Sequence, residues 1–305
     1  MSVLALEGLE VSLDDGVSLL DGVGFTLEAG TITALVGESG SGKSVTALAL
    51  CGLLPAALRA RWRGFTFDGH DVRDPAPLRG RGLALMPQDA LGSLDPVMRI
   101  GAQLDEVLSH VARVGAGDRP ARIEALLREA GFSAPSAVAR SYPHQLSGGM
   151  RQRALLAATL AADPRVLLVD EPTTALDPSL RHGVLALLRE LTTRRQLAML
   201  FITHDLAAAE AIADRVTVLY AGRVAEQAPA KSLFASPRHP YTAGLLAARL
   251  DGSRPAKVLP GSLPSVGERP VGCRFQPRCG RRSGQCSQQP AFVEGVACHH
   301  PLGAS

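Results

Sequence analysis

One stretch constrains this chain more than any other. Gly37-Glu38-Ser39-Gly40-Ser41-Gly42-Lys43-Ser44 fits the pattern G-x-x-x-x-G-K-[ST]. The apolar run Thr31-Ile32-Thr33-Ala34-Leu35-Val36 before it reads as a strand, and Val45-Thr46-Ala47-Leu48-Ala49-Leu50 after it reads as a helix. A strand joined to a helix this way has to turn sharply, and the three glycines let the backbone wrap around an oxyanion. The freed N–H groups and the positive end of the helix dipole favour negative charge at that turn. The chemistry expected is a hold on nucleotide phosphates, with Lys43 reaching the β- and γ-phosphates and the Ser44 hydroxyl ligating Mg²⁺.

Two further stretches define what such a site is used for. Arg165-Val166-Leu167-Leu168-Val169-Asp170-Glu171-Pro172 is a continuous apolar strand of the kind buried on both faces of a parallel sheet, and it delivers two carboxylates at its C-terminal end. Asp170 is placed to hold Mg²⁺ and Glu171 to polarise an attacking water. Leu146-Ser147-Gly148-Gly149-Met150-Arg151-Gln152-Arg153 opens a long helix ending near Ala162, with Ser147 as its cap and the glycines exposing N–H donors.

With Gln88 in Met86-Pro87-Gln88-Asp89, Ala175-Leu176-Asp177, and His204 in Ile202-Thr203-His204-Asp205, these stretches stand in the order and rough spacing of an ABC-transporter ATPase, which the chain resembles over roughly residues 3 to 230. The resemblance implies an α/β fold: a P-loop ABC-type ATPase with a RecA-like core, an antiparallel β subdomain and an α-helical subdomain. It implies further roles by position. Gln88 couples Mg²⁺ to the transmembrane subunits, Ser147, Gly148 and Gly149 complete the partner's ATP site, Asp177 crosses the dimer interface, and His204 contacts the γ-phosphate. Leu4, Leu6, Leu9, Val11 and Leu13, then Val23, Phe25 and Leu27, alternate as strands of the antiparallel part. Leu104, Val107, Leu108 and Val111, and Ile123, Leu126, Leu127 and Ala130, recur at helical spacing within a subdomain of about 89–160. A strand is expected over Leu197 to Ile202 and a hairpin from Val216 through Ala221-Gly222 to Val224.

Beyond about residue 230 proline becomes frequent, and four of the five cysteines appear. Ser236-Pro237-Arg238-His239-Pro240-Tyr241-Thr242 and Gly272-Cys273-Arg274-Phe275-Gln276-Pro277-Arg278-Cys279 resemble the ATPase subunits of oligopeptide, dipeptide and nickel importers. The expected division is an ATPase domain over 1–230 and a Cys-containing C-terminal extension over 231–305. Cys273, Cys279, Cys286 and Cys298 are spaced C-x₅-C-x₆-C-x₁₁-C, without the spacing of ferredoxins or zinc ribbons, and suit a 4Fe-4S cluster or a Zn²⁺ site, with free or disulfide-forming thiols as the remaining alternative. The resemblance implies the cluster. Cys51, in the helix after the phosphate loop, reads as a small core residue.

The partners implied are a second, non-identical ABC ATPase, two permease subunits and, indirectly, an extracytoplasmic substrate-binding protein. With no apolar run of 18 residues and no signal-peptide pattern at Met1-Ser2-Val3-Leu4-Ala5-Leu6-Glu7, the expected location is the cytoplasmic face of the membrane, reached by docking. A net charge of +3 with scattered arginines does not make a nucleic-acid face. Peptide import leads, with nickel or a metal chelate as the alternative cargo. A non-transport ABC clamp is disfavoured because the chain has one phosphate-loop lysine and no heptad array. Where such ATPases stack adenine on an aromatic side chain, Leu13-Asp14-Asp15-Gly16-Val17-Ser18 has none, and the first aromatic is Phe25. GTP should therefore compete with ATP better than in a protein with that aromatic. Placing Tyr at Asp14 or its neighbours should raise preference for ATP, as read by competition binding; no gain at any of these positions would mean the base is held elsewhere.

Overall fold

The structure, a computed structural model, describes residues 2–174, 178–249 and 259–303. The chain divides into two compact units, one of Met1–Val3, Leu27–Ile32 and Arg73–Phe201, the other of Leu4–Thr26, Thr33–Val72 and Ile202–Ser305. In chain order the strands are β1 (Ser2–Leu13), β2 (Ser18–Glu28), β3 (Ile32–Val36), β4 (Leu58–Arg61), β5 (Gly64–Phe67), β6 (His70–Asp71), β7 (Leu83–Met86), β8 (Val166–Asp170), β9 (Ala198–Thr203), β10 (Arg215–Tyr220) and β11 (Arg223–Pro229). The α-helices are α1 (Lys43–Leu50), α2 (Ala90–Ser93), α3 (Ile100–Glu106), α4 (Arg119–Glu129), α5 (Pro135–Arg140), α6 (Gly148–Ala161), α7 (Pro178–Arg195), α8 (Leu206–Ile212), α9 (Ala230–Ala235) and α10 (Pro240–Ala247).

In the first unit β7, β8 and β9 lie side by side, with β7 and β8 parallel from Leu83 opposite Val166 to Met86 opposite Val169. Val166 to Val169 and all of β9 are buried, which is why they read as unbroken apolar runs instead of alternating ones. The helices α3, α4, α5 and α6 pack on one another. Gly101 permits the close approach of α3 to α5, since a Cβ there would lie 2.9 Å from the Ala139 carbonyl oxygen. Leu104 and Leu108 are fully buried as the spacing predicts, but Val107–Val111 forms a π-helical turn, a local widening that the periodicity does not reveal.

The second unit carries the antiparallel sheet, ordered β2-β1-β5-β6 with β4 also on β1. The buried positions of β1 change phase, from Leu4 and Leu6 to Leu9 and Val11. Gly8, at φ 61°, absorbs the step: β1 pairs with β5 over Leu4–Glu7 and with β4 over Glu10–Leu13. In the same unit Thr33–Val36 run parallel to β10 over Arg215–Val218. The expected hairpin is formed by β10 and β11, whose Ala221-Gly222 turn takes left-handed φ at both residues, 48° and 85°. Gly222 donates its N–H to the Ser41 carbonyl at 2.8 Å and accepts from the Asp21 N–H at 2.9 Å. A Cβ at Gly222 would sit 2.0 Å from the Leu19 carbonyl oxygen. Cys51 is fully buried, as expected of a core residue.

The C-terminal segment corrects one expectation. Among the described residues, no three Cys, His, Asp or Glu side chains are grouped so as to hold a metal ion, which overturns the iron–sulfur cluster and gives no support to the zinc alternative. Cys273, Cys279, Cys286 and Cys298 are free thiols. Burial pushes the Cys273 and Cys298 thiols up, so both hold their protons. Other contacts order the segment. Tyr241, which has no exposed surface, meets Tyr220 edge-on at 4.5 Å between ring centroids and Phe275 at 5.4 Å, each such pair adding about 0.5–1.5 kcal/mol beyond area burial. Arg223 and Arg274 share the Asp21 carboxylate. The buried Glu226 carboxylate accepts the backbone N–H groups of Arg238 and His239 at 2.8 and 2.9 Å.

His239 is 3% exposed, and its Nδ1 accepts the Tyr241 N–H at 3.0 Å, so the ring is held neutral and burial pushes its pKa down to about 4. Between that value and the ordinary 6.5 the unfolded chain binds more protons than the folded one. The stability from this burial is complete above about pH 6.5 and declines as pH falls towards about 4. Thermal unfolding across that window should show the melting temperature falling in the parent and a flatter slope in His239→Gln. An equal slope in both would place the acid sensitivity elsewhere.

Candidate functional site

In the second unit the loop from Gly37 to Gly42 curls at the end of β3. Only glycine fits at its two ends: a Cβ at Gly37 would lie 2.2 Å from the Leu219 carbonyl oxygen, and one at Gly42 would lie 2.4 Å from the Leu20 side chain. Gly42, left-handed at φ 109°, is the N-cap of α1 and supplies no capping side chain, and the first turn of α1 carries no acidic residue. The amide end of the helix thus faces the loop without a built-in counter-charge. Ser41 is fully buried, and its Oγ has no hydrogen-bond partner among the described residues. An orphaned hydroxyl and a glycine-lined cradle fit an anion with several oxygens. Lys43, 5% exposed, turns its Nζ onto the loop's own carbonyls, Gly37 at 2.8 Å and Glu38 at 3.1 Å. Ser39, Gly40 and Ser44 are exposed.

Glu38 is held from the far end of the sequence. Its N–H donates to the Tyr241 hydroxyl at 3.0 Å, and its carboxylate accepts both Arg278 Nη groups at 2.9 and 3.0 Å. Burial works against the Arg278 charge, but the hydrogen bonds and attraction from Glu38 outweigh it and raise the pKa above the ordinary arginine value. Sequence reasoning missed these two residues. They stand 203 and 240 positions from Glu38, beyond any periodicity or spacing signal.

His204 is exposed in the turn after β9. Its neighbours fix that turn: Thr203 Oγ1 accepts the Asp205 N–H at 2.9 Å, and the Asp205 carboxylate caps α8 at the Ala207 and Ala208 N–H groups. Leu13 and Val17 flank a tight turn closed by Leu13 N–H to Val17 O at 2.9 Å, and both are partly exposed.

In the first unit β8 ends on Asp170, with Glu171 directly after it. Glu171 takes a left-handed φ of 45°, a conformation that costs a non-glycine residue of order 1 kcal/mol. Its carboxylate accepts Gln88 Nε2 at 3.1 Å and Thr174 Oγ1 at 2.9 Å, so two residues singled out separately in the sequence are brought together. Ser147 caps α6 through the Met150 N–H at 3.4 Å, and Ser147 and Gly148 are exposed, with Gly149 half-buried. Asp177 lies outside the described residues.

A phosphate-type loop on one buried strand and paired carboxylates ending another are the parts of a nucleoside-triphosphatase. Residues 20–174 match the model of the ABC transporter family, and residues 225–286 match the oligopeptide/dipeptide transporter C-terminal region. The oligopeptide transport ATP-binding protein OppD of Salmonella typhimurium is 42% identical over 95% of this chain and 90% of its own length. The dipeptide transport ATP-binding protein DppD of Escherichia coli is 36% identical over 99% of this chain and 98% of its own. The solved structure of CbiO1 from Clostridium perfringens, part of an ABC transporter complex, superposes with a TM-score of 0.67 at 26% identity, covering 77% of this chain and 91% of that one. The chain therefore belongs to the ABC transporter ATP-binding family, in its oligopeptide/dipeptide branch. None of these names marks an iron–sulfur protein, in line with the correction above.

Because the Gly37 position admits no Cβ, Gly37→Ala should deform the loop and lower affinity for ATP by about tenfold or more, as measured by nucleotide binding to the full chain. Unchanged binding would mean the cradle takes no part in holding phosphate.

Proposed function

We propose that this chain is the ATP-hydrolysing subunit that energises import of oligopeptides or dipeptides across the cell membrane. The observation that carries the reading is the pairing, in one chain, of the phosphate loop with a C-terminal region matching that of oligopeptide/dipeptide transporters. Nickel or chelate import and a non-transport clamp have no comparable support. Among the described residues no helix is long and apolar enough to cross a membrane, so we place the protein at the cytoplasmic face, docked on two permease subunits. We assign it a second, related ABC ATPase as heterodimer partner and an extracytoplasmic binding protein that delivers the peptide. The ATPase domain is taken as 1–230, with its helical part at about 89–160 facing the permeases, and the extension as 231–305.

The residue roles follow from chemistry. Lys43 and amides of the Gly37–Ser44 loop other than that of Glu38, which is given to Tyr241, hold the β- and γ-phosphates, for which Lys43 has to leave the Gly37 and Glu38 carbonyls. Ser44, Gln88 and Asp170 are a hydroxyl, an amide and a carboxylate, the hard oxygen donors that suit Mg²⁺, which neutralises phosphate charge when bound with ATP. Glu171 orients the attacking water, with Gln88 and Thr174 fixing its carboxylate. His204 contacts the γ-phosphate, and the exposed Ser147-Gly148-Gly149 start of α6 serves the ATP of the partner ATPase, with Asp177 at the shared interface.

Glu171→Gln retains shape and removes the base, so hydrolysis in the assembled transporter should fall about 100-fold or more while ATP affinity persists. Lys43→Ala should lose both binding and hydrolysis. Near-parent turnover in the Glu171→Gln transporter would show that another group activates the water.

A further inference from the structure

All four polar atoms of Glu38, the second residue of the phosphate loop, are engaged. Its N–H goes to the Tyr241 hydroxyl, its carbonyl oxygen accepts Lys43 Nζ and the Ser41 N–H, and its two carboxylate oxygens accept the two ends of the Arg278 guanidinium. Two of these partners belong to the loop itself and two to the C-terminal segment. We infer that Arg278 and Tyr241 are positioning residues for ATP binding, acting through Glu38 to hold the phosphate loop in its open, binding-ready shape. This rests on the nucleotide reading of Gly37–Ser44.

The ion pair is not of the exposed kind that contributes little to structure. The Arg278 side chain is 6% exposed, and its plane is fixed on three sides. It lies over the Tyr220 ring at 5.7 Å and the Phe275 ring at 5.9 Å, and its Nε donates to the Pro260 carbonyl at 2.8 Å. A guanidinium already locked in place loses little entropy when it grips a carboxylate at both oxygens. Tyr241 is as rigid: its ring is fully buried, and its hydroxyl accepts the one Glu38 donor. A Cβ at Gly40 would stand 3.4 Å from the Leu263 side chain, so the C-terminal segment also comes close to the loop there.

The consequence concerns order. When a phosphate draws Lys43 away from the Glu38 carbonyl, the loop loses an internal tie, and a loop held only by itself would pay in disorder for that change. Glu38 anchored at its amide and carboxylate keeps the glycine turn in place through the exchange. Preorganisation of this kind appears in binding. Arg278 and Tyr241 lie outside the loop and act on it only through Glu38, so the chemical step should be little changed.

The test measures KM and kcat for ATP in the assembled transporter, together with nucleotide affinity of the full chain. Arg278→Gln and Glu38→Gln should each raise KM by about five- to tenfold with kcat within about twofold. The double variant should be no worse than either single one, because both remove the same contact. Arg278→Lys, which keeps charge but not the two-pronged grip, should fall between parent and Arg278→Gln. Tyr241→Phe retains the buried ring and should raise KM by about two- to threefold, giving a readout that survives if the Arg278 variants fail to fold. Lys43→Ala is the control for the nucleotide reading. If it abolishes binding while Glu38→Gln and Tyr241→Phe leave KM at the parent value, the positioning role is wrong and the nucleotide site stands. A kcat loss without a KM change, or fully additive effects of Arg278→Gln and Glu38→Gln, would overturn it as well. If Lys43→Ala binds ATP like the parent, the nucleotide reading itself falls.

Discussion

Backbone curvature between β3 and α1 is the constraint on which the functional reading depends. A buried apolar strand has to end and reverse into a helix that starts without a side-chain cap, all within a few residues. The steric limits at Gly37 and Gly42, set by the Leu219 carbonyl and the Leu20 side chain, show how tightly neighbouring strands enclose that turn. Lys43 folded onto the loop's own carbonyls shows the electrostatic side of the same arrangement. Its ammonium already rests on backbone oxygens of the loop, with which a phosphate would have to compete for it.

Features written in local spacing were legible from the sequence. The apolar runs at Val166–Val169 and Ala198–Ile202, the Ser147 cap and the Ala221-Gly222 turn each depend on residues within a few positions of one another, and each is found where periodicity or turn chemistry puts it. The same logic explains what was not legible. The π turn at Val107–Val111 preserves burial of Leu104 and Leu108, so the apolar pattern cannot distinguish it from a regular helix. Arg278 and Tyr241 meet Glu38 across most of the chain length, and nothing in their local sequence encodes that meeting. The meeting of Gln88 with Glu171 lies between: both were singled out, but their hydrogen bond spans 83 positions and needed the structure.

The cysteines show how a compositional signal misleads. Four thiols in a proline-rich segment with few large apolar residues look like a fold in need of a metal, because small segments seldom bury enough to offset their ordering entropy. Here the burial is borrowed. Phe275 and Tyr241 pack on Tyr220 of β10, His239 packs on Phe275, and Arg274 reaches back to Asp21, so the segment uses a core that the hairpin already supplies. The requirement for order was read correctly, and its source was not.

The Ala221-Gly222 turn carries a last consequence. A two-residue hairpin tip is ordinarily among the most permissive places in a protein, where tags, epitopes or new chain ends are accepted because nothing presses on the backbone. This one is wedged: Gly222 is bonded to Ser41 of the phosphate loop on one side and to Asp21 on the other, with the Leu19 carbonyl closing the space a side chain would need. Its length is thus constrained by its bonds to neighbouring segments as well as by hairpin geometry. Across proteins built on this plan, drift in loop length should be absorbed at other connections, leaving this tip as an internal ruler for the distance between hairpin and phosphate loop.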